Sequence, residues 1–188
     1  PKRVELTNYE DIPHLLSPVS MAAKKAIMAL RWAAKEMERR YEVLFANRTR
    51  NLLAYHEKIK NDENADPLPF IVIIIDELAD IMAAYPRELE AAIVRLAQMS
   101  RAVGIHLIVS TQRPSVEVIT GLIKANITSR IAFRVASQVD SRTILDMAGA
   151  DKLLGNGDML FLAGDVAKPV RVQGAFVGAN EVKRVVEF

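Results

Sequence analysis

The sequence predicts a mostly parallel α/β sheet flanked by helices and followed by a C-terminal β-hairpin. Three observations carry that expectation. Short, continuous apolar runs alternate with helical periodicity through the middle of the chain, the pattern of strands covered by helices. Two of these runs end in polar residues, as strands do at the ligand-bearing edge of such a sheet. Residues 159–162 and 170–173 flank a Gly164-Asp165 turn and read as a paired hairpin.

Taken in order, residues 1–20 are irregular and punctuated by Pro1, Pro13 and Pro18. Ser17 before Pro18 reads as an N-cap with proline at the first helical position. A long amphipathic helix is expected next, because Ile27, Leu30, Ala34, Met37, Tyr41 and Leu44 recur at spacings of three and four. Residues 47–51 interrupt it, and a second helical stretch covers 52–60. A polar, proline-bearing loop at 61–69 leads to FIVIII at 70–75, a run expected to form a strand covered on both faces. Helical sequence over 87–103, with Leu89, Ile93, Leu96 and Ala97 inward, stops at Gly104. Buried strands at 105–110 and 131–135, with helices around 116–124 and 141–148, complete the alternation.

Composition bounds the chemistry. The 188 residues are 51% hydrophobic and 26% charged, which suits a packed core and excludes disorder. No apolar run approaches the roughly 20 residues of a membrane-spanning helix, and no signal-peptide pattern is present. The absence of cysteine removes disulfides, thiolate zinc sites and thiol catalysis. His14, His56 and His106 stand far apart, so a divalent ion would rest on carboxylates, hydroxyls and phosphate oxygens, as magnesium prefers. The net charge of +2 conceals two basic clusters. Residues 20–60 hold ten Lys/Arg against four Asp/Glu and read mainly as a solvated helix face. The second cluster, Arg101, Arg113, Lys124, Arg130, Arg134 and Arg142, falls at element ends and loops, where a polyanion would be met.

Candidate site residues gather at the strand ends. Strand 70–75 runs into Asp76 and Glu77, with Asp80 a turn later, which is the Walker B pattern. An aspartate there can hold magnesium through water, and the adjacent glutamate can polarise a water that attacks a phosphate. Both acids could instead cap and stabilise a helix N-terminus. The second strand runs into Ser110-Thr111-Gln112-Arg113-Pro114, where Gln112 has the reach to sense a terminal phosphate; a plain loop is the alternative. Arg101, at the end of the intervening helix, suits either a helix C-terminus or the nucleotide of a neighbouring subunit.

These residues in this order resemble the motor domain of the FtsK/SpoIIIE family of DNA translocases. The resemblance is carried by IVIIIDELADIM (71–82), IVRLAQMSRAVGIHLIVSTQRPSVEVITGLIKANITSRIAF (93–133) and VDSRTILDMAGADKLLGNGDMLF (139–161), supported by KEMERRYEVLFANRTRNLLAYHEKI (35–59) and KPVRVQGAFV (168–177). It implies a RecA-like P-loop NTPase core, here partial, with 20–60 a helical segment and 70–178 the core from Walker B onward. It implies ATP and Mg2+ as cofactors, a homo-hexameric ring, and double-stranded DNA as the partner, in chromosome segregation, cell division or sporulation. By resemblance Asp76 coordinates the magnesium, Glu77 activates water, Gln112 with Thr111 is the sensor and Arg101 is a trans-acting arginine finger. Arg113, Gln138 and Arg142 match channel segments that track the phosphate backbone, with Lys124 a weaker candidate.

Three residues depart from the family pattern: Gln138 is neutral where some members carry lysine, Asn156 replaces a common arginine, and Arg134 puts charge on a strand. No G-x-x-x-x-G-K-[ST] loop occurs in the 188 residues. In the family that loop lies upstream of the position matching Pro1, and PKRVEL matches the stretch after the second core strand. The chain is therefore expected to be a segment of a longer ATPase, soluble itself. The parent would sit at the cytoplasmic side of the bacterial inner membrane, attached through an absent N-terminal region. The segment alone is expected not to hydrolyse ATP. Two other readings stand beside this one: a non-enzymatic DNA- or subunit-binding remnant, and a ring ATPase moving conjugative DNA or secreted protein. An isolated chain lacking a central sheet neighbour is expected to change its strand order or to aggregate.

Overall fold

The computed structural model describes residues 6–10 and 12–188; Pro1 and most of the PKRVEL stretch lie outside them. The chain forms two compact units, Ala22–Ser110 and Thr111–Phe188, the latter together with the segment up to Met21.

In the 22–110 unit, α1 (Ala23–Ala46) is the long amphipathic helix. Its inward stripe is Ile27, Leu30, Ala33, Met37 and Leu44, with Ala34 and Tyr41 half-buried at its margin. The helix does not begin at Ser17-Pro18. Its N-cap is Ala22, extended at φ −98° and without a side-chain bond. Proline's fixed φ suits extended backbone as well as a helix, and ordering begins only where Ile27 and Leu30 supply burial. After the break at Asn47, α2 (Leu52–Ile59) starts under an Asn51 cap whose Oδ1 accepts from the Ala54 N–H at 2.9 Å.

β1 (Ile71–Ile75) and β2 (Ile105–Val109) pair in parallel, from Ile71 opposite Ile105 to Ile75 opposite Val109. Between them come α3 (Leu78–Ala84), α4 (Pro86–Met99) and a 3-10 turn, Ser100–Val103. The expected helix over 87–103 thus tightens for its last turn before Gly104 ends it at φ +75°. Helix α4 packs on α1, α3 and β2, burying Leu89, Ile93 and Leu96 completely. Among the described residues the sheet is covered on one face only. Ile75 and Ile105 are buried, whereas Val72, Ile74 and Ile108 on the opposite face are each a little over half exposed. Helix α4 and the Ser100–Val103 turn, which pack on β2, come from the connection between the two strands.

In the 111–188 unit, β3 (Arg130–Phe133), β4 (Asp158–Leu162) and β5 (Val170–Gln173) form an antiparallel sheet in that order. The hairpin of β4 and β5 is the one expected from the Gly164-Asp165 turn. Strand β3 joins that hairpin rather than the parallel pair, with Ala132 opposite Leu160, and its Ile131 and Phe133 are more than half exposed. Arg134 lies one residue past it, with its guanidinium beside Gly155. The expected helix at 116–124 is a turn followed by α5 (Gly121–Asn126), because Thr120 caps at residue 120: its Oγ1 accepts from the Ile123 N–H. Helix α6 (Gln138–Leu145) packs on β3 around Ala132, Leu145, Ala150, Leu153 and Leu162. Helix α7 (Ala179–Val186) lies against a short 3-10 turn, Leu6–Tyr9.

Candidate functional site

Parallel pairing places the carboxyl ends of β1 and β2 side by side, and the ladder runs one residue beyond them. The Ser110 N–H donates to the Ile75 carbonyl at 2.9 Å, and the Leu78 N–H donates to the Ser110 carbonyl at 2.8 Å. The Ser110 hydroxyl donates to the Asp76 carbonyl at 2.6 Å and lies 3.2 Å from that of Ile75. The backbone of Asp76 and Glu77 is therefore held from both sides, and both carboxylates are half-buried. Glu77 is the N-cap of α3, its Oε1 accepting from the Ala79 N–H at 3.2 Å. Capping and chemistry are compatible here, since the cap fixes the carboxylate at the sheet edge. Asp80 sits half-buried in the first turn of α3.

Among the described residues no group of three or more His, Asp or Glu could enclose a metal. The donor set at the end of β1 suits a hard cation that keeps its waters and takes one carboxylate alongside phosphate oxygens. Arg101 stands exposed in the Ser100–Val103 turn, between the buried side chains of Ser100 and Val103. Its own carbonyl accepts from the Gly104 N–H at 3.2 Å. A one-turn element pinned at both ends thus presents a single guanidinium outward.

The remaining candidates belong to the 111–188 unit. Thr111 Oγ1 accepts from the Arg113 N–H at 3.0 Å, closing a turn on which Gln112 and Arg113 are exposed. Gln138 and Arg142 lie one helical turn apart on the outer side of α6, with Val139 70% exposed beside them. That helix starts in a full capping box: Ser137 Oγ accepts from the Asp140 N–H, and Asp140 Oδ2 accepts from the Ser137 N–H, both at 3.1 Å. Lys124 stands apart from this exposed set. Its ammonium lies 2.6 Å from Asp146 Oδ1, and its side chain is only 20% exposed. Arg130 takes the other oxygen of Asp146 at 2.6 Å and also donates to the Ile144 carbonyl. These two cations, Arg130 foremost, hold the Asp146 carboxyl below the usual carboxylate range.

The motif and strand-end patterns assign no role to Ser110 or Asp146. A polar residue at a strand end was the available signal for Ser110. Asp146 carried none, because its left-handed backbone (φ +60°) at the end of α6 and its two cation partners are set by the fold. Asn156, the departure at a common arginine, also has positive φ (+52°), which asparagine tolerates well.

Comparison with known proteins bears on the family and the fold. The FtsK/SpoIIIE family matches residues 1–116. The DNA translocase FtsK of Clostridium tetani (strain Massachusetts / E88) is 58% identical over 188 residues, covering 100% of this chain and 25% of its own length. The DNA translocase SpoIIIE of Bacillus subtilis (strain 168) is 59% identical over 192 residues, covering 100% of this chain and 24% of its own. The chain thus spans about a quarter of the length of these relatives. Among solved structures, the pCW3 conjugation coupling protein TcpA, determined with ATPgS, superposes with a TM-score of 0.77 at 28% identity, over 90% of this chain and 50% of that one. EssC (ATPases 2 and 3) from Geobacillus thermodenitrificans shares the fold, with a TM-score of 0.75 at 19% identity over 97% of this chain and 34% of that one. The α/β fold is that of P-loop ATPase motor domains, and the chain belongs to the FtsK/SpoIIIE family.

Proposed function

We propose that this chain is the downstream part of an ATP-driven motor that moves double-stranded DNA through a homo-hexameric ring, serving chromosome segregation in cell division or sporulation. The observation that supports it most is the paired edge of β1 and β2. There Asp76 and Glu77 are fixed by Ser110, in a chain 57–59% identical to proteins named DNA translocase. In this reading Asp76 holds Mg2+ through water, and Glu77 orients the water that attacks the terminal phosphate. Thr111 and Gln112 sense that phosphate, and Arg101 reaches the nucleotide of the neighbouring subunit. Bound ATP with its magnesium supplies the phosphoryl group and neutralises its charge. Arg113, Gln138 and Arg142 contact the DNA backbone as charges and hydrogen-bond donors, which suits transport that is indifferent to sequence. Lys124 is the weakest of these contacts, since its ammonium already serves Asp146.

The 188 residues contain no phosphate-cradling G-x-x-x-x-G-K-[ST] loop, so turnover belongs to the longer parent and the segment alone binds without hydrolysing. In the full-length protein, Glu77→Gln is expected to lower DNA-stimulated ATP hydrolysis by about 100-fold or more, the range for loss of a group that activates water. Wild-type turnover in that variant overturns the reading. The likeness to a conjugation coupling protein favours a second cargo, conjugative DNA. Movement of the assembled ring along naked linear duplex, without conjugative partners, separates the two.

A further inference from the structure

Arg40 breaks the rule that the basic residues of α1 face solvent. Lys24, Lys25, Arg31 and Lys35 are exposed, but the Arg40 side chain is 2% exposed. Its Nε donates to Glu36 Oε1 at 2.8 Å, and its Nη1 donates to the Val103 carbonyl at 3.0 Å. Glu36 is anchored in turn by Arg39, whose Nε donates to Oε2 and whose Nη2 donates to Oε1, at 2.8 Å each. The neighbouring Tyr41 hydroxyl donates to the Met99 carbonyl at 2.6 Å. Met99 and Val103 bracket the turn that carries Arg101, so the two bonds from α1 meet that turn at its two ends. Gly104 closes the same turn at φ +75°, packed so tightly that a Cβ there would lie 2.2 Å from Leu52 Cδ2. Every bond in this set falls inside the 22–110 unit.

A buried arginine is costly unless its donors are used, and these donors meet a fixed carboxylate and a fixed carbonyl. Such a device orients what lies between its anchor points. We infer that Arg40, held by Glu36, and Tyr41 are positioning residues that set the direction in which Arg101 leaves the subunit. This rests on the proposed role of Arg101 toward a neighbouring nucleotide. The consequence is specific: damage at Arg40 impairs the neighbour's site and leaves the subunit's own Asp76 and Glu77 competent.

Mixed rings of the full-length protein test this. Glu77→Gln subunits have a dead site but an intact Arg101, and Arg101→Ala subunits have the reverse. Mixing the two is expected to restore DNA-stimulated turnover above that of either ring alone. Arg40→Met alone is expected to lower kcat by about 100-fold with little change in KM for ATP, the effect of misplacing a group that acts only in the transition state. Mixing Arg40→Met with Glu77→Gln subunits is expected to restore turnover in the same manner as Arg101→Ala does. A purely structural defect would not be repaired in trans. Wild-type turnover by Arg40→Met, or a deficit that mixing leaves in place while Arg101→Ala is rescued, overturns this inference alone. Failure of Arg101→Ala itself to be rescued overturns the trans-arginine reading and this inference with it. Tyr41→Phe removes one oxygen only and decides the matter should Arg40→Met fail to fold. A deficit repaired by mixing supports the positioning role, and an unrepaired deficit or no deficit overturns it.

Discussion

Asp158 shows how far a fold can move one carboxylate from its behaviour in water. Its side chain is 3% exposed and accepts from Arg171 twice, Nε at 2.9 Å and Nη2 at 2.8 Å, and from the Leu154 N–H at 2.7 Å. Arg171 above all, then the Leu154 amide, pulls its pKa down to about 2. A carboxylate depressed in the folded state binds fewer protons there than in the unfolded chain, so stability rises with pH between the two values. The contribution is complete above the ordinary value near 4 and is lost as pH falls toward about 2. Asp158→Asn is therefore expected to lower the urea midpoint at pH 7 and to flatten its fall between pH 4 and pH 2. An unchanged slope in that window would rule this out. At this scale the places of Asp76, Glu77 and Gln112 just after β1 and β2, and of Arg101 at the end of the intervening helical stretch, were legible because each follows a contiguous apolar or helical run. Asp158 stands in the GNGDMLF motif, yet its pairing is not legible there, because its partner lies 13 residues away across a hairpin.

Among the elements, the clearest lesson is where helices begin and end. The stop at Gly104 was readable because glycine, lacking a Cβ, takes a left-handed φ at the least cost of any residue. Gly104→Ala is expected to destabilise the protein by about 1–3 kcal/mol, through positive φ and the contact with Leu52. Chemical denaturation against wild type measures it, and a change within a few tenths would count against the geometry. Pro18 favours extended backbone as well as a helix start, so Ser17-Pro18 does not mark where α1 begins; α3, at seven residues, is too short for helical periodicity to show, and its sequence signal is the capping reading of Asp76 and Glu77. Of the two acids that the sequence offers as caps, Glu77 is the one that takes the role, its Oε1 accepting from the Ala79 N–H. The α6 box, by contrast, stands in the sequence as Ser137 followed three residues later by Asp140, close to the usual pattern.

For the whole chain, the consequential feature is the bare side of the parallel pair. Phe70, Val72, Ile74 and Ile108 are each half or more exposed on or beside two adjacent strands. Contiguous apolar surface of this kind drives association. The 188-residue chain by itself is expected to self-associate at micromolar concentration. Val72→Thr with Ile74→Thr is expected to shift it toward monomer while leaving the strands intact, since threonine keeps β-branching. Sedimentation velocity with far-UV circular dichroism reads both, and a wild-type chain that is monomeric throughout would contradict it. The sequence by itself determined the strand identities, the acid pair at a strand end, the amphipathic helix, the hairpin and the family, because each is written in local pattern or contiguous motif. Only the tertiary structure decided which sheet face is bare, that β3 joins the hairpin, that Lys124 and Arg130 share Asp146, and that Arg40 reaches Val103 across 63 residues. Those outcomes depend on which distant segments meet, and periodicities of two and 3.6 residues carry no record of that.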